Sequence, residues 1–233
     1  LKGSRDAALK ALAFEQIIAQ AHPLASTAIE VIEGGRKVAG SATFQAGLVE
    51  LQDVASQAVV ETLALRKGQR ILDYCAGGGG KALALAALAD SAVDAWDSDA
   101  ARMQDIAKRA ERAGANITCL TEKPSGQYDI VLCDVPCSGS GAWRRAPQGK
   151  WLLTPERLTQ LGNVQGDILQ QAARLVSPGG VLVYTTCSLL AQENMDQLAK
   201  FTEATPGWIC DFSRQFLPIE GGDGFFAGHL RSV

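Results

Sequence analysis

Apolar and polar positions along this chain fall into two regimes. Up to about residue 65 the spacing is helical or mixed. It predicts an amphipathic helix over residues 6–20, a short strand over 28–32 ending at the turn Gly34-Gly35, and a helix over 49–65. That second helix carries Leu51, Val54, Ala58 and Leu63 near helical spacing. From Arg70 onward, short apolar runs alternate with helical stretches. Strands are predicted over residues 71–75, 92–96, 117–120, 129–133, 181–185 and 224–230. Helices are predicted over 81–89, 100–113 (closed by Gly114), 155–176 and 192–202. Thr154-Pro155 supplies an N-cap followed by proline at the first helical position, and Pro178-Gly179-Gly180 turns that helix into the next strand. Such alternation means an α/β domain whose largely parallel sheet is covered by helices on both faces. Residues 1–43 read as part of a small α+β unit, and residues 44–233 as the main domain.

Composition narrows the class. The 233 residues suffice for one α/β domain with a sizeable core and a small appendage. Charged residues at 20% and hydrophobic ones at 47% are ordinary for a globular chain. The longest apolar run, residues 82–89, stops at Asp90, well short of the roughly 18 residues a membrane span needs. The first residues read as an amphipathic helix rather than a signal peptide, and a start at Leu1 instead of Met suggests preceding sequence. Six cysteines in a chain of this size, several at the ends of apolar runs, suggest free thiols in a reducing cytoplasm. No C-x-x-C pair exists and only His22 and His229 offer imidazole, so no metal is expected.

The net charge of −3 argues mildly against a nucleic-acid partner, but phosphate contacts need only a local basic face. Arg66/Lys67/Arg70 and Lys108/Arg109/Arg112 read as solvated surface. Arg144, Arg145 and Lys150 differ, because Trp143 and Trp151 are interleaved with them directly after a chemical motif.

Three motifs carry chemistry. Asp73-Tyr74-Cys75-Ala76-Gly77-Gly78-Gly79-Gly80-Lys81 puts four glycines between a strand and a helix, letting backbone approach a ligand closely. Ala82 stands where a Walker loop would hold magnesium through Ser or Thr. Twenty residues after Gly77, Asp97 ends the second strand, placed to accept hydrogen bonds from ribose hydroxyls; Asp99 competes, or caps the next helix. Loop and acid imply an adenosine-containing ligand without choosing between a nicotinamide cofactor and S-adenosylmethionine. The second motif is Asp134-Val135-Pro136-Cys137-Ser138-Gly139-Ser140-Gly141. The third is Thr185-Thr186-Cys187-Ser188, followed by Gln192-Glu193-Asn194. Each puts a cysteine just past the carboxyl end of a strand, where open α/β sheets bind ligands.

These motifs, with residues 150–158 and the closing Asp223-Gly224-Phe225-Phe226, resemble the bacterial Fmu/Sun (RsmB-type) branch of RNA cytosine-5 methyltransferases. The resemblance covers the chain from about Phe44. It implies a Rossmann-like methyltransferase fold, S-adenosylmethionine as cofactor and RNA, ribosomal RNA foremost, as substrate. It implies that residues 75–81 cradle the cofactor's methionine end and Asp97 its ribose, with Asp134 at the junction of cofactor and base. Cys187 would add as a thiolate to carbon 6 of cytosine, making carbon 5 enamine-like. Asp134 would hold the N3 and amino edge, and Cys137 would serve the later elimination as base or relay. Trp143, Arg144, Arg145 and Lys150 would meet RNA by backbone contact and stacking. Residues 1–43 resemble, more weakly, the small RNA-binding subdomain of these enzymes.

Three departures from the family pattern bear on the cofactor. Gly77-Gly78 replaces alanine–proline, Ala82 replaces threonine, and the acid that contacts adenine is missing from Leu120-Thr121-Glu122-Lys123-Pro124, where Glu122 is the one stand-in. Two other readings stay open: DNA cytosine-5 methylation, where the proline–cysteine thiol attacks, and a methyltransferase-fold RNA-binding or ribosome-assembly factor with weak catalysis.

Overall fold

The computed structural model describes residues 2–233. Helix α1 (Arg5–Phe14) leads into the antiparallel pair β1 (Ile18–Ala21) and β2 (Ile29–Glu33), then the single turn α2 (Ala42–Gln45) and α3 (Val54–Glu61). The main sheet begins with β3 (Ile71–Asp73), α4 (Gly80–Ala89), β4 (Val93–Ala95), α5 (Ile106–Ala113), β5 (Ile117–Cys119) and β6 (Tyr128–Asp134). It continues through α6 (Gln148–Leu152), α7 (Pro155–Ala173), β7 (Val176–Thr186), α8 (Met195–Ala204), β8 (Trp208–Phe216) and β9 (Phe225–Ser232). Seven strands lie in the order β5-β4-β3-β6-β7-β9-β8. The first five are mutually parallel; β9 runs antiparallel to both β7 and β8. This is the expected α/β, Rossmann-like arrangement.

Period-two alternation explains how the sheet takes helices on both sides. Ile71, Ile130, Leu132 and Val183 face one apolar layer with Leu85 of α4 and Ile106 of α5. Leu72, Val131, Cys133 and Tyr184 face the other with Leu169 of α7 and Leu198 of α8. Both faces are buried, so the strands read as near-continuous apolar runs. Chain order reverses between β3 and β6, which pair with Asp73 opposite Leu132. The crevice outside the carboxyl ends of such neighbours is the usual ligand position in open α/β sheets. Asp73, at the end of β3, and Asp134, at the end of β6, both line that crevice.

Several boundaries differ from expectation. The helix foreseen over 6–20 stops at Phe14, and Ile18–Ala21 is a strand. Gln16 adopts φ 58, and the Glu15 carboxylate turns away to accept from the Ala42 and Thr43 amides at 2.7 and 2.9 Å. The helix over 49–65 shrinks to Val54–Glu61 because Asp53 caps it, accepting from the Ala55 amide at 2.9 Å. The helix over 100–113 is a 3₁₀ turn, capped by Asp99, followed by α5. Pro178-Gly179-Gly180 lies within β7 as an irregularity between the Tyr128–Val176 and Ile130–Val181 pairings. Strand β8 was not foreseen.

Candidate active site

The glycine loop is shaped by what cannot fit beside it. Gly77 and Gly79 have φ of 49° and 80°, and a Cβ on Gly79 would stand 2.8 Å from Ile106 Cγ1. The loop is fixed by Ala76 N–H to Trp96 O at 3.0 Å and Gly79 N–H to Ala76 O at 2.8 Å. Asp97 closes it from the next strand. Its Oδ2 accepts from the Gly77 amide at 2.9 Å and from Arg102 at 3.0 Å, and its Oδ1 from the Asp99 amide at 3.0 Å. Asp99 caps the following turn through the Ala101 amide at 3.1 Å, which leaves Asp97 as the buried acid at the loop. Arg102, unassigned in the sequence, lies on the acceptor edge of Asp97.

Lys81 is buried and points inward, its Nζ 2.7 Å from Asp134 Oδ2 and 4.7 Å from the centroid of Phe225. Asp73 is 1% exposed and neither carboxylate oxygen has a well-formed hydrogen bond, the Ala82 amide facing it as a weak donor. Burial pushes its carboxyl up to about 7; Asp134 adds to the rise and Lys81 opposes it. Asp73, Cys75, Lys81, Asp134 and Cys187 line one cleft of about 280 Å³, together with Asp53 and Asp223. Glu122 is exposed and is not among the residues that line this cleft.

The two thiols meet at the other end. Cys137 Sγ and Cys187 Sγ are 3.3 Å apart. Cys187 is lowered below an ordinary thiol, first by the hydrogen bond with Cys137; burial and the Asp134 carboxylate oppose this and the Lys81 cation helps. Cys137 is pushed far up by the same hydrogen bond and by burial. The two shifts oppose each other across one sulfur–sulfur contact, with Cys187 the more acidic of the pair. Backbone pairing holds the loops together: Gly141 N–H donates to Cys187 O at 3.0 Å, and Gly224 N–H to Gly141 O at 2.9 Å. A Cβ on Gly141 would stand 2.0 Å from Gly224 O, so this crossing requires glycine.

At the cleft mouth Arg144 and Arg145 both pair with Asp223, which is 1% exposed while their own side chains are 56% and 61% exposed. Arg145 Nε lies 2.9 Å from Asp223 Oδ2. Lys150 sits on α6 with its Nζ 5.6 Å from the ring of Trp151, which is 81% exposed. Trp143 differs: it is half-buried, its indole N–H has no acceptor, and a Cβ on Gly149 would meet that nitrogen at 3.0 Å. Among the described residues no group of three His, Cys, Asp or Glu side chains is placed to hold a metal ion, and no helix is long and apolar enough to cross a membrane.

Sheet order and glycine loop together define a Rossmann-like methyltransferase class. The family model described as 16S rRNA methyltransferase RsmB/F matches residues 60–231, and the chain belongs to that family. It is 34% identical over 244 residues to the ribosomal RNA small subunit methyltransferase B of Cronobacter sakazakii, covering 97% of this chain and 57% of that protein. The crystal structure of PH0851 superposes with TM-score 0.92 at 25% identity, over 99% of this chain and 57% of that one. A methyltransferase homolog protein from Pyrococcus horikoshii superposes at TM-score 0.85 over 100% of this chain and 84% of that one; at 22% identity it speaks for the fold alone. The chain spans about half the length of the curated relatives it matches.

Proposed function

We propose that this chain carries the catalytic centre of an enzyme that transfers a methyl group from S-adenosylmethionine to carbon 5 of a cytosine in ribosomal RNA. The observation that carries the reading is the 3.3 Å contact between Cys137 and Cys187 beside the Lys81–Asp134 pair. A single-thiol mechanism would need only one of them.

The residues present fit the cofactor. Positive-φ glycines leave a cradle that side chains would fill, and the Asp73 carboxylate, without a well-formed partner, suits a ligand bearing a cationic amine. Residues 75–81 would hold its methionine end and Asp97 its ribose, once Arg102 yields one lone pair. When bound, S-adenosylmethionine supplies an electrophilic methyl group. Cys187 attacks carbon 6, forming the S–C6 bond. Asp134 faces the N3 and amino edge, and the Lys81 cation behind it offsets the negative charge that addition places on the ring. After methylation, carbon 5 loses its proton to water and the S–C6 bond breaks. Cys137, whose sulfur lies 3.3 Å from that of Cys187, would serve this elimination as base or relay.

Arg144, Arg145 and Lys150 would take phosphates, and Trp143 and Trp151 would flank bases, with Trp151 the more accessible ring. We assign residues 1–43 as part of an RNA-binding subdomain. The test is incubation with methyl-labelled S-adenosylmethionine and 16S ribosomal RNA or duplex DNA, followed by nucleoside mass spectrometry. Label in 5-methylcytidine from RNA alone is expected; label in DNA overturns the reading. The occupied acceptors of Asp97 and the absent adenine acid favour the assembly-factor alternative, for which calorimetry would register no S-adenosylmethionine binding.

A further inference from the structure

One small pattern occurs twice in this chain. Cys137-Ser138 and Cys187-Ser188 each follow one of two neighbouring strands, β6 and β7. Both serines are tied to a single carboxylate. Glu193 is fully buried and accepts four hydrogen bonds, two on each oxygen. Oε1 takes the Ser138 amide at 2.8 Å and Gln165 Nε2 at 3.0 Å. Oε2 takes Ser138 Oγ at 2.5 Å and Ser188 Oγ at 2.6 Å. Gln165 also donates to the Pro136 carbonyl at 3.0 Å, so α7 braces the first thiol loop. Asn194 braces the second: it accepts from Thr186 Oγ1 at 2.6 Å and donates to the Ser188 carbonyl at 3.0 Å.

Burying a carboxylate without a cation is costly, and here four neutral donors replace the cation. No Lys, Arg or His pairs with Glu193 among the described residues, and it does not line the cleft. Nothing in the chemistry described above uses it. Three of its four bonds end on Ser138 and Ser188, the residues adjoining the two cysteines, and the fourth on Gln165 of α7.

We propose that Glu193 is the positioning residue that holds the Cys137 and Cys187 sulfurs in contact, with Cys137 as the donor. The proposal rests on the two-thiol reading of the site. Each sulfur belongs to a residue immediately before a serine pinned to the same anchor. Moving the two cysteine loops apart therefore means breaking short charge-assisted hydrogen bonds, which are about twice as strong as neutral ones. The buried carboxylate also opposes an anion at Cys137, which favours Cys137 as the donor in the sulfur–sulfur contact.

Glu193→Gln tests this with little change of shape. The amide oxygen can keep the Ser138 amide and Gln165, but its NH₂ is accepted only if both serine hydroxyls turn round, so the charge and the charge-assisted character of the anchor are lost. The groups facing Cys187 are Cys137, Asp134, Lys81 and Arg145, with Asp53 and Asp223 lining the same cleft. All of these are unchanged in the variant. The measurement is the pH dependence of Cys187 alkylation by iodoacetamide in the full chain, read on its peptide by mass spectrometry, beside turnover on RNA. In the unsubstituted protein the midpoint should lie below that of an ordinary thiol. In Glu193→Gln it should rise toward the ordinary value, and kcat should fall at least tenfold with KM for RNA and cofactor affinity within about twofold. Should that variant not fold, Ser138→Ala, which removes one leg of the anchor, carries the same test. A low midpoint unmoved by the substitution overturns the role of Glu193 and leaves the two-thiol reading standing. An ordinary midpoint in both proteins overturns the thiol coupling on which the role depends. The two-thiol reading is judged separately, on the covalent adducts of the cysteine variants.

Discussion

The cleft has a buried carboxylate near each end, and the two are housed in opposite ways. Glu193, behind the thiols, has four donors on two oxygens. Asp73, beneath the glycine loop, has no well-formed hydrogen bond and is pushed up to about 7. The thiol end is thus complete within the chain, its geometry set before any substrate arrives. At the glycine-loop end Asp97 and Asp134 are paired with Arg102 and Lys81, and Asp73 alone is left without a well-formed partner. A preorganised end suits a step that needs a fixed nucleophile, and a carboxylate left in that state suits capture of a cationic ligand.

The comparison can be broken from either side. The largest effect is expected at the thiol end: Cys187→Ala should reduce methyl transfer to background in a radiolabel assay, because the nucleophile itself is gone. Residual turnover near the unsubstituted rate would end the covalent account.

Next is Asp73. Its folded-state pKa lies above the unfolded value, so the folded chain holds the proton more tightly than the unfolded one. The cost to stability is absent below about pH 4, grows as pH rises, and levels off above about 7. Asn, which never ionises, should therefore stabilise the protein above pH 7 by on the order of a few kcal/mol, with the gain shrinking toward pH 5. Urea denaturation at pH 5 and 8 measures this. A gain equal at both values would mean that Asp73 is not the titrating group. The same variant should bind S-adenosylmethionine more weakly, since the charge left unsatisfied is the one offered to the ligand.

Asp97→Ala should weaken S-adenosylmethionine binding about tenfold or more, from the loss of a charge-assisted hydrogen bond worth about 1.5–3 kcal/mol. Unchanged affinity by calorimetry would remove Asp97 from the ribose site. The smallest effect belongs to the cleft mouth. Replacing Arg144 and Arg145 together should lower the slope of log affinity for RNA against log salt by about 1.4–1.8, as two fewer phosphates are neutralised. Equal slopes would leave the pair as anchors of Asp223 alone.

How much of this was legible in the sequence follows from how local each signal is. The parallel strands β3, β6 and β7 announced themselves because strands covered on both faces run apolar. The two cysteines were legible through repetition, strand then Cys then Ser. Strand β8 was missed because it alternates half-buried with exposed residues at the sheet edge, where composition is mixed. The strand Ile18–Ala21 was hidden in a helical pattern, and only the turn at Gln16 separates the two. Glu193 stood in a quoted motif, but its partners lie as far as 55 residues away, a distance no local spacing reports. Arg102 on Asp97 was equally out of reach, as was the difference between the half-buried Trp143 and the open Trp151.

The central claim is the division of labour between two thiols in contact, and covalent trapping tests it most directly. Cys137→Ala and Cys187→Ala are each incubated with ribosomal RNA and labelled S-adenosylmethionine, then run on denaturing gels. Cys137→Ala should still attack and methylate but release slowly, so a protein–RNA species should accumulate with about one methyl group per enzyme, as expected when a covalent intermediate cannot resolve. Cys187→Ala should give none. Adducts from Cys187→Ala and none from Cys137→Ala would contradict the account and make the proline–cysteine thiol the nucleophile.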